Sequence, residues 1–559
     1  MFESGNMTGA QRPLHALNRL AFGPRPGDLD AVKSLGVDRY LARQLDPESI
    51  PEPDELTNRI SSLRTLRMTP VELFIEFQQP LREAAKGDQD ARKAARREAR
   101  QVIMEAVEAR IVRAVFGPRQ LHEVMAAFWF NHFNVFAGKG LCSIWSGAFE
   151  EEAIRPHTMG RFRDLLGATA KHPAMLFYLD NWQNTAPDSP GRHGKFEGIN
   201  ENYARELMEL HTLGVNGGYT QTDVIALAHI LIGWGLLKRG AEMNRQQNFT
   251  ANDSEPRPHA QFGQFGAGGP FRPFGPFGSR RWRTRNPDRQ QQNQLRRGGV
   301  AHTERGARLI GQYGFFFDAG RHDFATQTFL GRTIPGAGME QGEQALDMLA
   351  QSPVTANHLS YQLAQYFVAD NPPPALVKRM ATRYLASDGN IREVLATMFA
   401  SDEFWDRRNY GSKFKTPYEY VISSVRATGA PVVNMLPLAG TMAQLGMPLY
   451  GCQTPDGYKN TREAWLNPDA MMMRLSFATA LGAGRLPIER PPDVDFGAVG
   501  GFRKSGQVRP VNYDGRMNPP APEILAATLG NQFSPRTEGR SSLRRCLCAH
   551  RLSLAARNS

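Results

Sequence analysis

The stretch NENYARELMELHTLGVNGGYTQTDVIALAHILIGW, residues 200–234, reads as two helices, 200–213 and 220–235, separated by the turn Gly214 to Gly218. At helical periodicity Tyr203, Ala204, Leu207, Met208 and Leu210 form one apolar face, and His211 falls in its middle. Glu201, Arg205 and Glu209 lie opposite, four residues apart, as an acid–base–acid ladder, with Glu206 at the boundary. Thr220 with Asp223 gives the second helix a capping-box start, aspartate standing where Glu or Gln is usual.

Outward from this pair the same period recurs. Residues 119–136, RQLHEVMAAFWFNHFNVF, are apolar almost all round, the pattern of a helix buried on most sides. There His132 lies in line with Leu121, Met125 and Phe128, with Asn131 and Asn134 beside it. Residues 14–45 read as two helices: LHALNRLAFG ends on glycine, and DLDAVKSLG starts after a Pro-Gly sequence. Within 70–116 the run REAAKGDQDARKAARREARQ is charge and alanine, which favours a solvated helix or hairpin. Helices resume over 340–405, 413–429 and 469–482. No internal repeat and no strand–helix alternation is visible, so the fold class is all-α, a large multi-helix globular body.

The 559 residues are 41% hydrophobic and 22% charged, enough to bury a substantial core. The formal charge of +12 resides in two irregular arginine-rich segments, 239–308 and 536–559, and leaves the remainder near neutral. This weakens a nucleic-acid reading of the folded body. The expected organisation is a helical part at 1–239, a disordered Gln/Gly/Phe/Arg-rich insertion at 240–300 and a second helical part at 301–486. A Pro/Gly-rich segment with a short helix follows at 487–535, then an irregular basic tail at 536–559 that reads as a shifted frame. No run is long and apolar enough for a membrane span, and MFESGNMTGAQRPLHAL does not read as an export leader, so a soluble chain is expected. Cys142, Cys452, Cys546 and Cys548 make neither a disulfide framework nor a zinc site.

The common catalytic motifs are missing: there is no phosphate-binding GxxxxGK[ST] loop and no GxSxG elbow, and His122-Glu123 lacks a second histidine. What remains are polar residues in apolar surroundings. His132, His211 and His322 are candidate nitrogen ligands for a divalent metal, with Glu206 or Asp323 as carboxylate or acid/base partner. Asn131, His132, Glu201, Arg205 and Glu209 are candidate binding residues, and Glu206, His211, His322 and Asp323 candidate catalytic ones. The commoner role for each histidine alone is a satisfied core residue.

These segments, with LNRLAFGPRPGD at 17–28, FWFNHFNVF at 128–136, HDFATQTFLG at 322–331, SPVTANHLSYQLAQYFVAD at 352–370 and SDGNIREVLATMFASDEFW at 387–405, resemble the bacterial domain-of-unknown-function 1800 family over roughly residues 12–486. The resemblance implies a helical bacterial protein of undetermined biochemical role. It also implies relatives that look exported and often sit beside a sulfatase/phosphatase-like companion. Three readings follow: a partner or scaffold acting with such a companion, which is favoured; a metal-dependent hydrolase; and nucleic-acid binding through the arginine-rich insertion.

Overall fold

Pro13 occupies the first turn of α1 (Arg12–Arg19), where its missing N–H leaves no bond unmade. The computed structural model describes residues 5–87, 89–187, 189, 198–236 and 314–491. The insertion expected at 240–300, the tail expected at 536–559 and all but residues 487–491 of the segment expected at 487–535 lie outside these residues. The alanine- and charge-rich run becomes α2 (Gln89–Phe116), exposed along its first half and buried from Val102 onward. The shorter segments Phe74–Gln78 and Gln79–Ala84 fold back against it, so the solvated pattern closes as a hairpin. The aromatic run forms α3 (Gln120–His132), buried on every side.

Further along come α4 (Phe162–Lys171), α5 (Asn202–Glu209) and α6 (Gln221–Ile230). Both halves of the Thr220–Asp223 capping box are made. Helix α5 stops four residues earlier than its periodicity predicts. The amides of Leu213 and Gly214 both turn to the Met208 carbonyl, at 2.9 and 3.2 Å. Gly214 is left-handed (φ +86°), and a Cβ there would sit 2.8 Å from His358 Nδ1, so glycine is required twice over. The expectation that α6 runs to residue 235 is also corrected. Gly233 breaks it, and β1 (Trp234–Leu236) pairs antiparallel with β2 (Phe315–Phe317). A second ribbon joins β3 (Gln327–Phe329) to β4 (Arg332–Ile334), and among the described residues these two ribbons are the sheets.

Four consecutive helices, α7 (Met339–Ala350), α8 (Pro353–Phe367), α9 (Pro374–Ala386) and α10 (Ile391–Phe399), stack in sequence order. Then α11 (Pro417–Thr428) returns to α2, and α12 (Pro468–Gly482) packs on α11. Helices at Val37–Leu45, Cys142–Phe149, Pro173–Tyr178 and Leu436–Gln444 were not read from the sequence. One hydrophobic core collects residues from Met7 to Ile488. No helix among the described residues is long and apolar enough to cross a membrane.

The core also holds charge. Glu123 of α3 takes two hydrogen bonds from Arg155, at 3.0 and 2.5 Å. Arg155 lies 3.6 Å from Glu150, which accepts from Arg110 at 3.3 Å and from the Tyr450 hydroxyl at 2.8 Å. Arg113 pairs with Glu151. Three arginines thus meet three glutamates, and each buried charge has a partner.

Candidate functional site

The sequence-predicted residues separate into unconnected neighbourhoods. His132 and His211 do meet, with ring centroids 6.0 Å apart. His132 Nε2 donates to the His211 carbonyl at 3.1 Å, so that nitrogen is committed to backbone. His358 of α8 completes the group, its Nδ1 packed against Gly214. Burial drives the His132 pKa down to about 3, with His358 adding to the effect, and it pushes His211 well below its usual value. Glu206 offers its main-chain carbonyl to the His211 amide at 3.1 Å. Its half-buried side chain is raised in pKa by desolvation and by Glu209.

His322 stands elsewhere, between Phe317 and Phe324. Its Nδ1 faces the Ile232 carbonyl at 2.5 Å and its Nε2 faces Gln341 Oε1 at 2.7 Å. Asp323 turns the other way and takes the Nδ1 of His229 at 2.7 Å and the Ala325 amide at 2.9 Å. Burial works to raise the Asp323 pKa, but these hydrogen bonds hold it below the usual carboxylate value. His229 was not read as a site residue. Its signal was a titratable ring interrupting the most apolar run of the chain.

Among the described residues no group of three or more His, Cys, Asp or Glu could hold a metal ion. The ligand set of His132, His211 and His322 with Glu206 or Asp323 is therefore not assembled. The physical reason is local: His132, His322 and Asp323 spend their nitrogens and oxygens on nearby main chain and on single side-chain partners, and His211 Nε2, buried without a partner, joins no group of three ligands. The Glu201–Arg205–Glu209 ladder is present, at 3.1 and 3.3 Å, and Gln221 of α6 ties into both Arg205 and Glu201. Asn131 clasps the backbone of Tyr458 with both amide atoms, at 2.8 and 2.7 Å. Asn134 holds the carbonyls of Cys452 and Thr454. Gly457 beneath this clasp leaves no room for a Cβ, which would lie 2.2 Å from the Asn131 carbonyl. The asparagines of NHFN thus fasten the loop after Pro448.

A different place carries uncompensated charge. Where α1 meets the segment before α11, Arg19, Lys413 and Lys415 line one pocket. Lys413 is neutralised by Asp370 and also reaches the Asn460 carbonyl at 2.8 Å. Lys415 is buried and its Nζ has no hydrogen-bond partner. Arg19 Nη2 donates to the Asn409 carbonyl at 2.9 Å and to Ser412 Oγ at 3.3 Å, while its Nε has no partner. Among the described residues neither Arg19 nor Lys415 has a carboxylate within ion-pair distance. Glu419, on the same wall, spends one oxygen on the Thr416 amide and hydroxyl, at 2.8 and 3.0 Å.

Two more buried polar atoms in this wall lack partners, Asn18 Oδ1 and His15 Nε2. Burial lowers the Lys415 pKa to about 8; Glu419 opposes this and Arg19 reinforces it. Burial and then Arg19 keep His15 well below its usual value, a neutral imidazole. The floor, Phe22 and Lys415, is buried, and the rim, Tyr410, Gly411 and Asn460, is half-buried. A second pocket shares Tyr366, Thr416, Glu419 and Asn460 with the first and continues past Tyr418 to Asn131. The two pockets thus adjoin, the second lined by Phe128, Phe130, Tyr418, Tyr450 and Tyr458.

A family profile described as a protein of unknown function (DUF1800) matches residues 15–278 and 299–547. No curated protein matches the chain, and no solved structure does.

Proposed function

The chain belongs to the DUF1800 family, and from that premise we propose that it binds a small organic anion in the Arg19–Lys415 pocket. One observation carries this reading: a buried lysine and a half-buried arginine face one cavity, each with a buried nitrogen that has no partner and with no carboxylate within ion-pair distance. A buried charge without a partner costs several kcal/mol, and an incoming anion removes that cost. The free Nε of Arg19 and the Nζ of Lys415 are the donors, and the adjoining aromatic pocket accommodates the uncharged part of the ligand.

Anions are expected to raise the melting temperature in a saturable way. Stabilisation should reach about 2.7 kcal/mol at a hundredfold excess over Kd. The measurement is thermal unfolding of the full chain across phosphate, sulfate and small carboxylates at constant ionic strength. In Lys415→Met the response should vanish. A melting temperature indifferent to all three, or a response that Lys415→Met keeps, rejects the reading.

A protein partner is a second reading, favoured by the exposed face of α12. Met472, Met473 and Leu475 are 64%, 40% and 50% exposed there, a concentration of soft apolar side chains on one helix. The sulfatase/phosphatase-like companion implied by the resemblance is the candidate. Co-expression should give one co-eluting complex that Met472→Glu disperses; separate elution of the two chains disposes of this reading.

A further inference from the structure

We propose that Lys415 is a nucleophilic amine that forms an imine with small 2-oxo carboxylates seated against Arg19. This rests on the anion-pocket reading and adds to it a reaction and a substrate class. A 2-oxo acid carries, on adjacent carbons, the two functions that the wall is built to meet. Its carboxylate answers the guanidinium of Arg19, whose Nη2 bonds to the Asn409 carbonyl and Ser412 hold the plane in place. Its carbonyl carbon answers an amine that is bound to nothing else. Lys413 cannot compete, since Asp370 keeps it engaged as a cation.

Lys415 has what an amine nucleophile needs: a desolvated position, a second cation close by and no carboxylate within ion-pair distance, so burial outweighs the pull of Glu419. With a pKa of about 8, roughly one molecule in ten carries the neutral amine at pH 7, against about one in three thousand for an ordinary lysine. The Nζ lone pair attacks the carbonyl carbon, and a C–N bond forms as the C=O pair moves to oxygen. The carbinolamine then expels that oxygen as water, which takes both amine hydrogens, and a C=N bond remains. No oxidant or reductant is consumed. His15, neutral and with its Nε2 free, lines the same pocket and adds no charge against the incoming carboxylate.

Trapping tests the step. The full chain is incubated with pyruvate and sodium cyanoborohydride, and intact mass and peptide mapping follow. The expected product is a single secondary-amine adduct, heavier by pyruvic acid less one oxygen, mapped to Lys415 and suppressed by phosphate. Lys415→Arg keeps the charge but cannot form the imine. It should give no adduct at that position while retaining the thermal response to phosphate. Adducts scattered over surface lysines without enrichment at Lys415, or no adduct at all, overturn the imine. If phosphate still stabilises the chain in that case, the anion pocket stands; if it does not, both fall.

Discussion

Glu123→Gln is expected to lower the stability of the fold by about 3–5 kcal/mol, a large share of what holds a typical domain together. Glu123 is 5% exposed, and both its oxygens face Arg155. Burial works to raise its pKa, but Arg155 first, and then His122, bring it far below the usual carboxylate value. The amide of glutamine keeps one acceptor and turns an NH₂ toward a guanidinium that can only donate. Arg155 would then lean on Glu150 and Glu151, which are already taken by Arg110 and Arg113. Urea unfolding measures the loss. The control is Glu201→Gln in the ladder on α5, where both partners are more than one-third exposed and the expected cost is about 0.5 kcal/mol or less. Equal costs for the two substitutions would show that the interior network contributes no more than a surface pair.

Acid is expected to weaken the fold well before the carboxylates titrate. His132 has a folded-state pKa of about 3 against a usual 6.5, so below pH 6.5 the unfolded chain binds a proton that the folded one refuses. Its contribution is complete above pH 6.5 and is lost progressively as pH falls toward 3. At pH 5 the loss from this one ring is about 2 kcal/mol. His211 is shifted the same way and adds to it. The urea midpoint should therefore fall between pH 7 and pH 5, a window in which carboxylates of ordinary pKa remain ionised. His132→Gln preserves a donor toward the His211 carbonyl and cannot charge, so its midpoint should vary less over that interval. A midpoint that does not move in the wild-type chain would contradict the assigned burial of these rings.

Elements whose reason is local were readable from residues. The apolar face of α5, the capping box of α6 and the ladder from Glu201 to Glu209 need only neighbours three and four positions away. What failed were endings set from a distance. Helix α5 stops where His358 crowds Gly214, and α6 yields to β1 because Phe315–Phe317 arrives to pair with it. The histidines were correctly expected inside, yet their convergence was not decidable, since a nitrogen's partner can be any carbonyl in the fold. The cationic pocket was the least visible feature. Arg19 reads as an ordinary last-turn base of LHALNR, and Lys415 as one of two lysines in an aromatic segment. Only the folded arrangement leaves both without a carboxylate in ion-pair contact.

The pocket is also assembled from opposite ends of the described chain. Apart from Val124, its lining comes from residues 15–22 on one side and from positions past 360 on the other. Arg426 ties the same join together by bonding to the Gly23 carbonyl and to Asp28. During synthesis the early segment therefore waits for nearly four hundred further residues before its burial is complete. At ribosomal speed that is on the order of half a minute, during which α1 has only its earlier-made neighbours to pack against. Long-range closure of this kind makes folding slow and late. A ligand seated there would ignore chains that stop short of Asn460, so occupancy would report that both sides of this join had been made and brought together.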